Sequence, residues 1–305
     1  MTVLVADLPS TTLRKVNLYS ERSLKFEFIS EPLPFDESGN NKISISNCRA
    51  TVSCQSSGNL FGTQATVSLY GLSLDLLSSL SSKAQGLFGS NSEKISMQIF
   101  VGETAIFTGF MTSSIANMNS VPNSALTITA TASADLQNKV ASPFSFNGPT
   151  PVKDVISAIC KAGGYSPYII GLDGLVVTNP HYEGSVFDQL QSICDSVEIA
   201  MSIAPPTISF WPQKRVKDGV VPLISPEHGL IGYPIFSNGG VMFQTQFSTL
   251  LTTGRNIKLV TSLPHASGTY KLTSVSHELS SWMPDGPWHS VCIANRILNE
   301  GDNGG

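Results

Sequence analysis

Hydrophobic and polar residues alternate along most of the first 145 residues. Runs such as LKFEFI, KISMQIFV and LTITATA place apolar side chains at every second position. A period of two is typical of strands with one buried and one solvated face. The pattern therefore predicts strands at Leu24–Ile29, Arg49–Cys54, Gln64–Tyr70, Lys94–Val101, Ile106–Met111 and Leu126–Ala132.

One helix interrupts this β-rich region. Ser73 is a suitable N-cap, and the leucines that follow it have helical spacing. We expect the helix to end at Gly86. Residues 36–44 and Gly86–Ser92 are rich in Gly, Ser and Asn, which predicts exposed loops.

The period changes to that of a helix after residue 145. Thr150 is the predicted N-cap of a first helix, with Pro151 at its first position and Gly163-Gly164 at its end. A second helix is predicted from Ser185, where Asp188 completes a capping-box pattern. Two short strands should follow, at Ala200–Ala204 and Thr207–Trp211.

Alternation returns after residue 215. Strands are predicted at Gly229–Phe236, Val241–Phe247, Asn256–Val260, Thr269–Ser276 and Trp288–Ile297. The fold class is therefore mainly β with a small α+β insert. We divide the chain into a first β domain (1–145), an α+β module (146–215), a second β domain (216–298) and a flexible tail (299–305). No sequence repeat has a fixed period, so the pattern leaves open whether the β parts form one barrel or two.

Composition narrows the class of protein. Hydrophobic residues make up 41% of the 305-residue chain and charged residues only 13%, against a usual charged share of about 25%. Serine is the main polar residue, with 43 copies. A disordered chain would be poor in apolar residues and rich in charge. The composition favours a β protein whose surface is polar but uncharged, as in a subunit of a larger assembly.

Charge and cysteine content exclude further classes. The net charge is −4, and the densest basic spot, Lys214, Arg215 and Lys217, is interpreted as a solvated turn, so we expect no specific nucleic-acid binding. No apolar run approaches the length of a membrane helix, and the N-terminus does not have the pattern of a secretory signal. The five cysteines include no C-x-x-C motif, and four of them have the apolar or small neighbours typical of packed thiols. They predict a reducing cytoplasm, without a disulfide framework or a zinc site.

The sequence contains no motif for catalysis. G-x-S-x-G, H-E-x-x-H, G-x-G-x-x-G and Walker patterns do not occur. The richest polar group, His277, Glu278, Asp285 and His289, could serve a metal or acid–base site. We favour a pair of strands joined by a polar turn, because no ligand spacing supports the alternative. Carboxylate pairs and the three tryptophans also single out no cleft; we interpret Trp211, Trp282 and Trp288 as core or interface anchors.

We therefore predict no catalytic, cofactor-binding or metal-ligating residue. Changing His277, Asp285 or His289 to Ala is expected to alter only stability or assembly. The sequence leaves the residues of any oligomer interface open.

Several phrases, in order, resemble the baseplate hub proteins of contractile-tailed bacteriophages. The first is ATVSLYGLSLDLLSSL (residues 65–80), followed by KISMQIFVG and AIFTGFM. The middle block carries VKDVISAICKAGG, YEGSVFDQLQSICDS and a strand pair ending in ISFWPQ. The closing block runs from GLIGYPIFSNGGVMFQTQ through GTYKLTSVSHELSS to GPWHSVCIANRI. Each phrase is moderately specific, and the resemblance covers nearly the whole chain.

The resemblance implies a structural protein of the virion tail. Such hubs are homotrimers, and each subunit has two related tail-tube-like β-barrel domains, so that three subunits form a pseudo-sixfold ring. The implied partners are the tail tube protein, the central spike protein, and the tape measure and baseplate wedge proteins. No cofactor is implied. Assembly would take place in the cytoplasm of the bacterial host.

Two alternatives remain at this point. A tail-associated peptidoglycan hydrolase would need a catalytic constellation, which the sequence does not supply. A distal tail or tube protein would be hexameric and would usually lack the two-helix module of residues 150–200. The sequence does not distinguish a phage from a phage-derived tail particle.

Overall fold

The computed structural model describes residues 12–15, 22–35, 38–57, 62–83, 94–120, 123–237 and 239–297. The helices in these ranges are α1 (Leu74–Lys83), α2 (Ala134–Asn138), α3 (Val152–Gly163) and α4 (Val186–Ser196). The strands are β1 (Thr12–Lys15), β2 (Leu24–Glu31), β3 (Lys42–Ser46), β4 (Ala50–Ser57), β5 (Thr63–Tyr70), β6 (Lys94–Val101), β7 (Thr104–Asn117), β8 (Ala125–Thr131), β9 (Phe144–Ser145), β10 (Pro149–Pro151), β11 (Ser166–Ile169), β12 (Val176–Thr178), β13 (His181–Tyr182), β14 (Ile199–Ala204), β15 (Thr207–Pro212), β16 (Val220–Ile224), β17 (Leu230–Ser237), β18 (Gly240–Gln246), β19 (Asn256–Leu259), β20 (Gly268–Ser281) and β21 (Trp288–Arg296).

Fourteen of these strands form one sheet, which consists of two halves. The first half has the order β3-β2-β6-β7-β8-β5-β4. The second half has the order β1-β16-β19-β20-β21-β18-β17. The halves are joined where β4 pairs antiparallel with β20.

The two halves repeat one topology. In each, six strands lie side by side in the sheet. When they are numbered by their order along the chain, their order across the sheet is first, fourth, fifth, sixth, third and second. We call β2 and β4–β8 the first repeat, and β16–β21 the second repeat. They differ in one pairing, because β2 is antiparallel to β6 whereas β16 is parallel to β19. The structure thus contains a duplication that no fixed period in the sequence indicates.

A matching β-bulge supports the duplication. The longest strand of each repeat, β7 or β20, has 14 residues, and its register shifts after Met111 or Leu272. The extra residue is a threonine in both. The Oγ1 of Thr112 donates to the carbonyl oxygen of Thr129 at 3.2 Å, and that of Thr273 donates to Ile293 at 3.1 Å. Because a bulge fixes register, equivalent positions in the two repeats can be assigned from it.

Alternation along the strands buries one face of the sheet. In β6, every second side chain is buried, as the KISMQIFV pattern predicts. The first repeat encloses one apolar core that includes Phe26 and Phe28, and the second encloses another around Tyr270. Each large side chain buried in this way stabilises the fold by about 1.5–3 kcal/mol. Phe247 and Leu279 of the second repeat pack into the first core, so the repeats also share apolar contacts.

The helix in the first repeat begins as predicted. The Ser73 hydroxyl accepts a hydrogen bond from the Leu76 amide at 3.3 Å, and its carbonyl accepts one from Leu77. The hydroxyl therefore satisfies one of the unpaired amides of the first turn. The expected end at Gly86 lies outside the described residues.

The α+β module has its own core, formed mainly by α3, α4 and a three-stranded sheet of β11, β15 and β14. The predicted capping box of α4 is confirmed, since Asp188 donates its amide to the Ser185 hydroxyl at 3.1 Å and its carboxylate accepts from the Ser185 amide at 3.0 Å. The predicted end of α3 is confirmed by left-handed Gly164. The predicted Thr150 cap is wrong. Thr150 pairs with Val177 in β10–β12, and the helix begins after Pro151.

The mainly β class with a small α+β insert is confirmed, and its β part consists of two repeats of one topology. No pairing between described strands closes either repeat into a barrel. Residues 42–44 are strand rather than loop, because Ile43 and Ile45 pack on the first core. Pattern reasoning also missed α2 and the shortest strands, in which the period has too few residues to show. The predicted loop Gly86–Ser92 and tail 299–305 lie outside the described residues.

Candidate functional site

The polar group near the C-terminus is divided between the two faces of the sheet. His277 and Glu278 are neighbours in β20, so their side chains point to opposite faces. His277 is buried, whereas Glu278 is partly exposed. Asp285 lies in the turn before β21, whereas His289 lies in β21 opposite Glu278. The structure therefore does not bring all four side chains together.

His277 is a packed core residue. Its Nδ1 lies 2.7 Å from the Ser290 hydroxyl, and its ring meets Phe247 edge-on with 5.0 Å between centroids. Burial lowers the pKa of His277 to about 4, against a hydrogen bond with the Leu251 backbone that raises it. The neutral ring is the form that this site stabilises.

Glu278 belongs to a network of hydroxyl groups. Its Oε1 accepts hydrogen bonds from Ser53 at 2.8 Å and from Ser276 at 3.0 Å. Asp285 and His289 line a shallow cleft of about 520 Å³ with Arg22, Ile231 and Trp288. This cleft is open and lies beside β17.

All five cysteines are free, and four of them are packed, as predicted, whereas Cys48 is half-buried. Cys54, Cys160, Cys194 and Cys292 are buried, and burial raises the pKa of each thiol to about 12. A thiol in that state is a poor nucleophile. Within the described part of the chain, no three His, Cys, Asp or Glu side chains lie close enough to hold a metal ion. No described helix is long and apolar enough to cross a membrane.

The tryptophans do not share one groove. Trp211 is buried at a cleft of about 480 Å³ between the α+β module and the second repeat, and Trp288 packs on the first core. Trp282 is exposed. The basic spot is only partly a solvated turn, because Lys217 lies over the Trp211 ring, 5.2 Å from its centroid.

An ion cluster that sequence reasoning missed fastens the α+β module to the first repeat. Buried Asp135 in α2 accepts from Lys94 of β6, from Lys139 at 2.8 Å and from the Tyr165 hydroxyl at 3.1 Å. Burial opposes ionisation of Asp135, but the hydrogen bonds from Lys139 and Lys94 outweigh it and lower the pKa of the carboxyl. The i,i+4 spacing of Asp135 and Lys139 is the only local signal of this cluster, because Lys94 and Tyr165 come from distant parts of the chain.

A broad polar surface without charges covers the outward side of β4, β5 and β8. The register places hydroxyl and amide side chains in rows across the three strands; Ser53, for example, is opposite Thr66, which is opposite Thr129. We call this surface the uncharged face: Thr51, Ser53, Gln55, Gln64, Thr66, Ser68, Thr127 and Thr129. The three strands contain no Lys, Arg, Asp or Glu at all.

The far end of the same sheet is apolar. Strand β17 pairs with β18 alone among the described strands, so one of its edges is open. Its exposed side chains include Ile231, Tyr233, Ile235 and Phe236, the last three more than half exposed. We call these four residues the β17 edge. An open apolar edge favours strand pairing with another chain.

Comparison with known proteins identifies the family of this chain. A family model described as baseplate hub gp41 matches residues 37–285. The chain belongs to this baseplate hub family. It is therefore a structural component of a phage tail baseplate and not an enzyme. The match includes the α+β module and most of both repeats.

Solved structures share the fold of this hub protein. A 43 kDa tail protein of prophage MuSo2 from Shewanella oneidensis has a TM-score of 0.61 at 10% identity, covering 89% of this chain and 96% of that one. A tail protein from Neisseria meningitidis MC58 has a TM-score of 0.60 at 10% identity, covering 91% and 97%. The Escherichia coli c3393 protein, a type VI secretion component described as similar to T4 tail proteins gp27 and gp5, has a TM-score of 0.55 at 11% identity, covering 83% and 74%. No curated protein sequence matches the chain.

Proposed function

We propose that this hub protein forms a homotrimer that joins the sixfold tail tube to the threefold central spike. The duplication carries the proposal. Three copies of a chain with two equivalent β repeats present six similar units under threefold symmetry. Such a ring can match a sixfold partner on one side and a threefold partner on the other.

The proposed division of labour follows the chain. Residues 1–145 and 216–298 form the two ring-building domains, and residues 146–215 form a module between them. The tube protein and the spike protein are the direct partners, with tape measure and baseplate wedge proteins nearby. The protein functions in the virion tail baseplate, after assembly in the host cytoplasm.

The uncharged face supports a position along the path of the DNA. DNA binding without sequence preference depends on Lys and Arg groups that neutralise phosphates. The uncharged face contains none, and Glu278 borders it. A channel wall of this kind would let DNA pass without holding it.

Added lysines test the channel role. We expect Thr66→Lys with Thr127→Lys to create salt-dependent binding of duplex DNA, measured by fluorescence anisotropy, whereas the wild-type hub stays unbound. A single lysine at Val140, which is 93% exposed away from this face, is the control. Equal binding by wild-type protein would contradict an inert channel wall.

The solution mass tests the trimer directly. Light scattering over a range of concentrations should give about 97.5 kDa, three times the 32.5 kDa of one chain. A hexamer would instead indicate a distal tail or tube protein. Co-purification with the tube and spike proteins of the same particle tests the contacts with these two partners. Failure to bind either protein would contradict the adaptor role.

A further inference from the structure

The two repeats are joined by strand pairing between β4 and β20, which we call the joint. This joint provides a template for strand pairing between subunits. Within the chain, β4 of the first repeat pairs antiparallel with the C-terminal half of β20 in the second. In this joint, Gln55 lies opposite Ser276, Cys54 opposite His277 and Ser53 opposite Glu278. The edge strand of one repeat thus pairs with the long strand of the other.

The duplication identifies the equivalent strands that remain uncovered. By strand order, β17 is the counterpart of β4, and β7 is the counterpart of β20. The β6 strand pairs with β7 only along Thr104–Phe110. Beyond that point, no described strand pairs with residues 113–117 on this side of β7. Among the described strands, there are therefore two unpaired edges of the kind that β4 and β20 close together.

Both open edges expose apolar side chains. On β7 and the turn after it, Ile115 is 64% exposed and Met118 is 44% exposed. On the β17 edge, Ile235 is 59% exposed and Phe236 is 57% exposed. In the closed joint, the residue equivalent to Met118 is Leu279, which is fully buried in the first core. The open edges thus have the side chains of a joint that lacks its partner.

We propose that β17 of one copy of this chain pairs antiparallel with residues 113–117 of β7 in a second copy, in the register of the β4–β20 joint. The bulges align Ser113 with Ser274, so the expected opposite pairs are Ile115 with Ser237, Ala116 with Phe236 and Asn117 with Ile235. The inference rests on the proposed trimer and names the surfaces that build it.

The occupant is a second copy because both halves of the joint lie on one chain. A head-to-tail contact between different surfaces forms a closed ring when the rotation per subunit closes it. At three copies, three joints within chains alternate with three between chains, and all six are alike. A foreign partner on β17 would leave the β7 edge of the same chain open.

Charge and area agree with this assignment. Residues 229–254, which include β17 and β18, contain no charged side chain and no histidine. A depletion of charge is typical of interface cores. A free aromatic side chain exposes roughly 150–250 Å², so the β17 edge presents on the order of 500 Å². A stable interface buries about 800 Å² per partner, which this edge and its surroundings can supply.

Cysteine cross-linking tests the register. Opposite residues of antiparallel strands have Cα atoms about 4.5–5.5 Å apart, within the range of a disulfide. Ile115→Cys with Ser237→Cys should give covalent dimers and trimers on a non-reducing gel after mild oxidation. Ile115→Cys with Val140→Cys is the control, since both positions are exposed but not opposite, and the wild-type chain controls for the native thiols.

The outcomes separate this inference from the proposed function. A trimeric variant without the specific cross-link overturns the β17–β7 joint and leaves the trimer intact. A wild-type chain that remains at 32.5 kDa at every concentration overturns both. A cross-linked trimer that forms with the Ile115→Cys and Ser237→Cys pair, but not with the control pair, supports both the β17–β7 joint and the trimer.

A charge pair provides a second test that does not depend on oxidation. Ile115→Lys should shift the mass from that of a trimer to that of a monomer, because it buries an unpaired charge in the joint. Adding Ser237→Glu opposite it should restore the trimer, whereas Val140→Lys should have no effect. A trimer that survives Ile115→Lys unchanged would count against the joint.

Discussion

The two repeats of this hub protein have the same strand order and the same bulge, but their edge strands carry different side chains. In the first repeat, the edge strand β4 presents Ser53 and Cys54 to β20 within the chain. In the second, the equivalent positions on β17 are Ile235 and Phe236, and both are exposed. The shared alternation pattern thus specifies the fold of each repeat. The side chains of the edge strand specify which partner that strand can pair with.

The outward faces of the two repeats also differ in polarity, and again the second repeat is the more apolar one. Thr66 and Thr129 on the uncharged face correspond to Met242 and Ile293 in the second repeat, where the register gives the same cross-strand pair. A solvated strand face tolerates either set, because neither contributes to the core. The first repeat is thus suited to contact water, and the second to contact protein.

The largest difference between the repeats is the strength of the contacts that attach the α+β module to each of them. Asp135→Ala should lower the free energy of unfolding by about 2 kcal/mol, since it removes charge-assisted hydrogen bonds from two partly exposed lysines and leaves the buried Tyr165 hydroxyl without its acceptor. On the second repeat, Lys271 donates to the carbonyl oxygens of Gln213 and Arg215. Lys271→Met should cost only about 1 kcal/mol. Urea unfolding measures both, and equal costs would contradict a dominant attachment on the first repeat.

A buried histidine makes the second repeat sensitive to acid. The equivalent residue in the first repeat is Ala116, which does not titrate. Because the pKa of His277 falls to about 4 on folding, from about 6.5 in the unfolded chain, its contribution is complete above pH 6.5 and is lost as the pH falls towards 4. We expect a loss of about 3 kcal/mol across this window.

Comparison with His277→Gln isolates that effect. The variant should unfold with a shallower dependence of stability on pH between 6.5 and 4, while carboxylates such as Asp135 affect both proteins equally. Identical slopes in the two proteins would rule out His277 as the source.

A glycine marks where the second repeat packs most closely. A Cβ atom at Gly240 would lie 2.0 Å from the carbonyl oxygen of Ala294. Gly240→Ala should therefore destabilise the protein by about 2 kcal/mol through displacement of β21. The equivalent residue of the first repeat is exposed Gln64, where Gln64→Ala should change stability by less than about 0.5 kcal/mol. Thermal unfolding distinguishes the two, and a tolerated Gly240→Ala would contradict this difference in packing.

The bulge threonines should behave alike. Thr112→Val and Thr273→Val each remove one hydrogen bond to a strand carbonyl, which is worth about 1 kcal/mol. The expected losses are equal within experimental error if the two bulges are equivalent. A loss at only one of them would weaken the alignment on which the proposed register depends.

Much of the fold follows from local patterns. The alternation of β6 and the Ser185 capping box each contain their signal within a few residues, so both were predictable. Thr150 shows the limit of such reasoning. It has the right residue type for a cap, but pairing with Val177, which is 27 positions further along the chain, places it in a strand. The candidate site shows the same limit, since the chemistry of His277 and Glu278 depends on which face of β20 each one occupies.

The sequence by itself determined the class of strands and helices, the scarcity of charge and the absence of any recognised catalytic motif, because these are properties of neighbouring residues. Only the tertiary structure decided that the β regions repeat one topology, that β4 pairs with β20, and that β7 and β17 each keep an edge without a partner among the strands that the structure describes. These features come from pairings between residues as far apart as Ser53 and Glu278. A strand pattern specifies which face is buried, but the partner at each edge is selected by the packing of the whole chain.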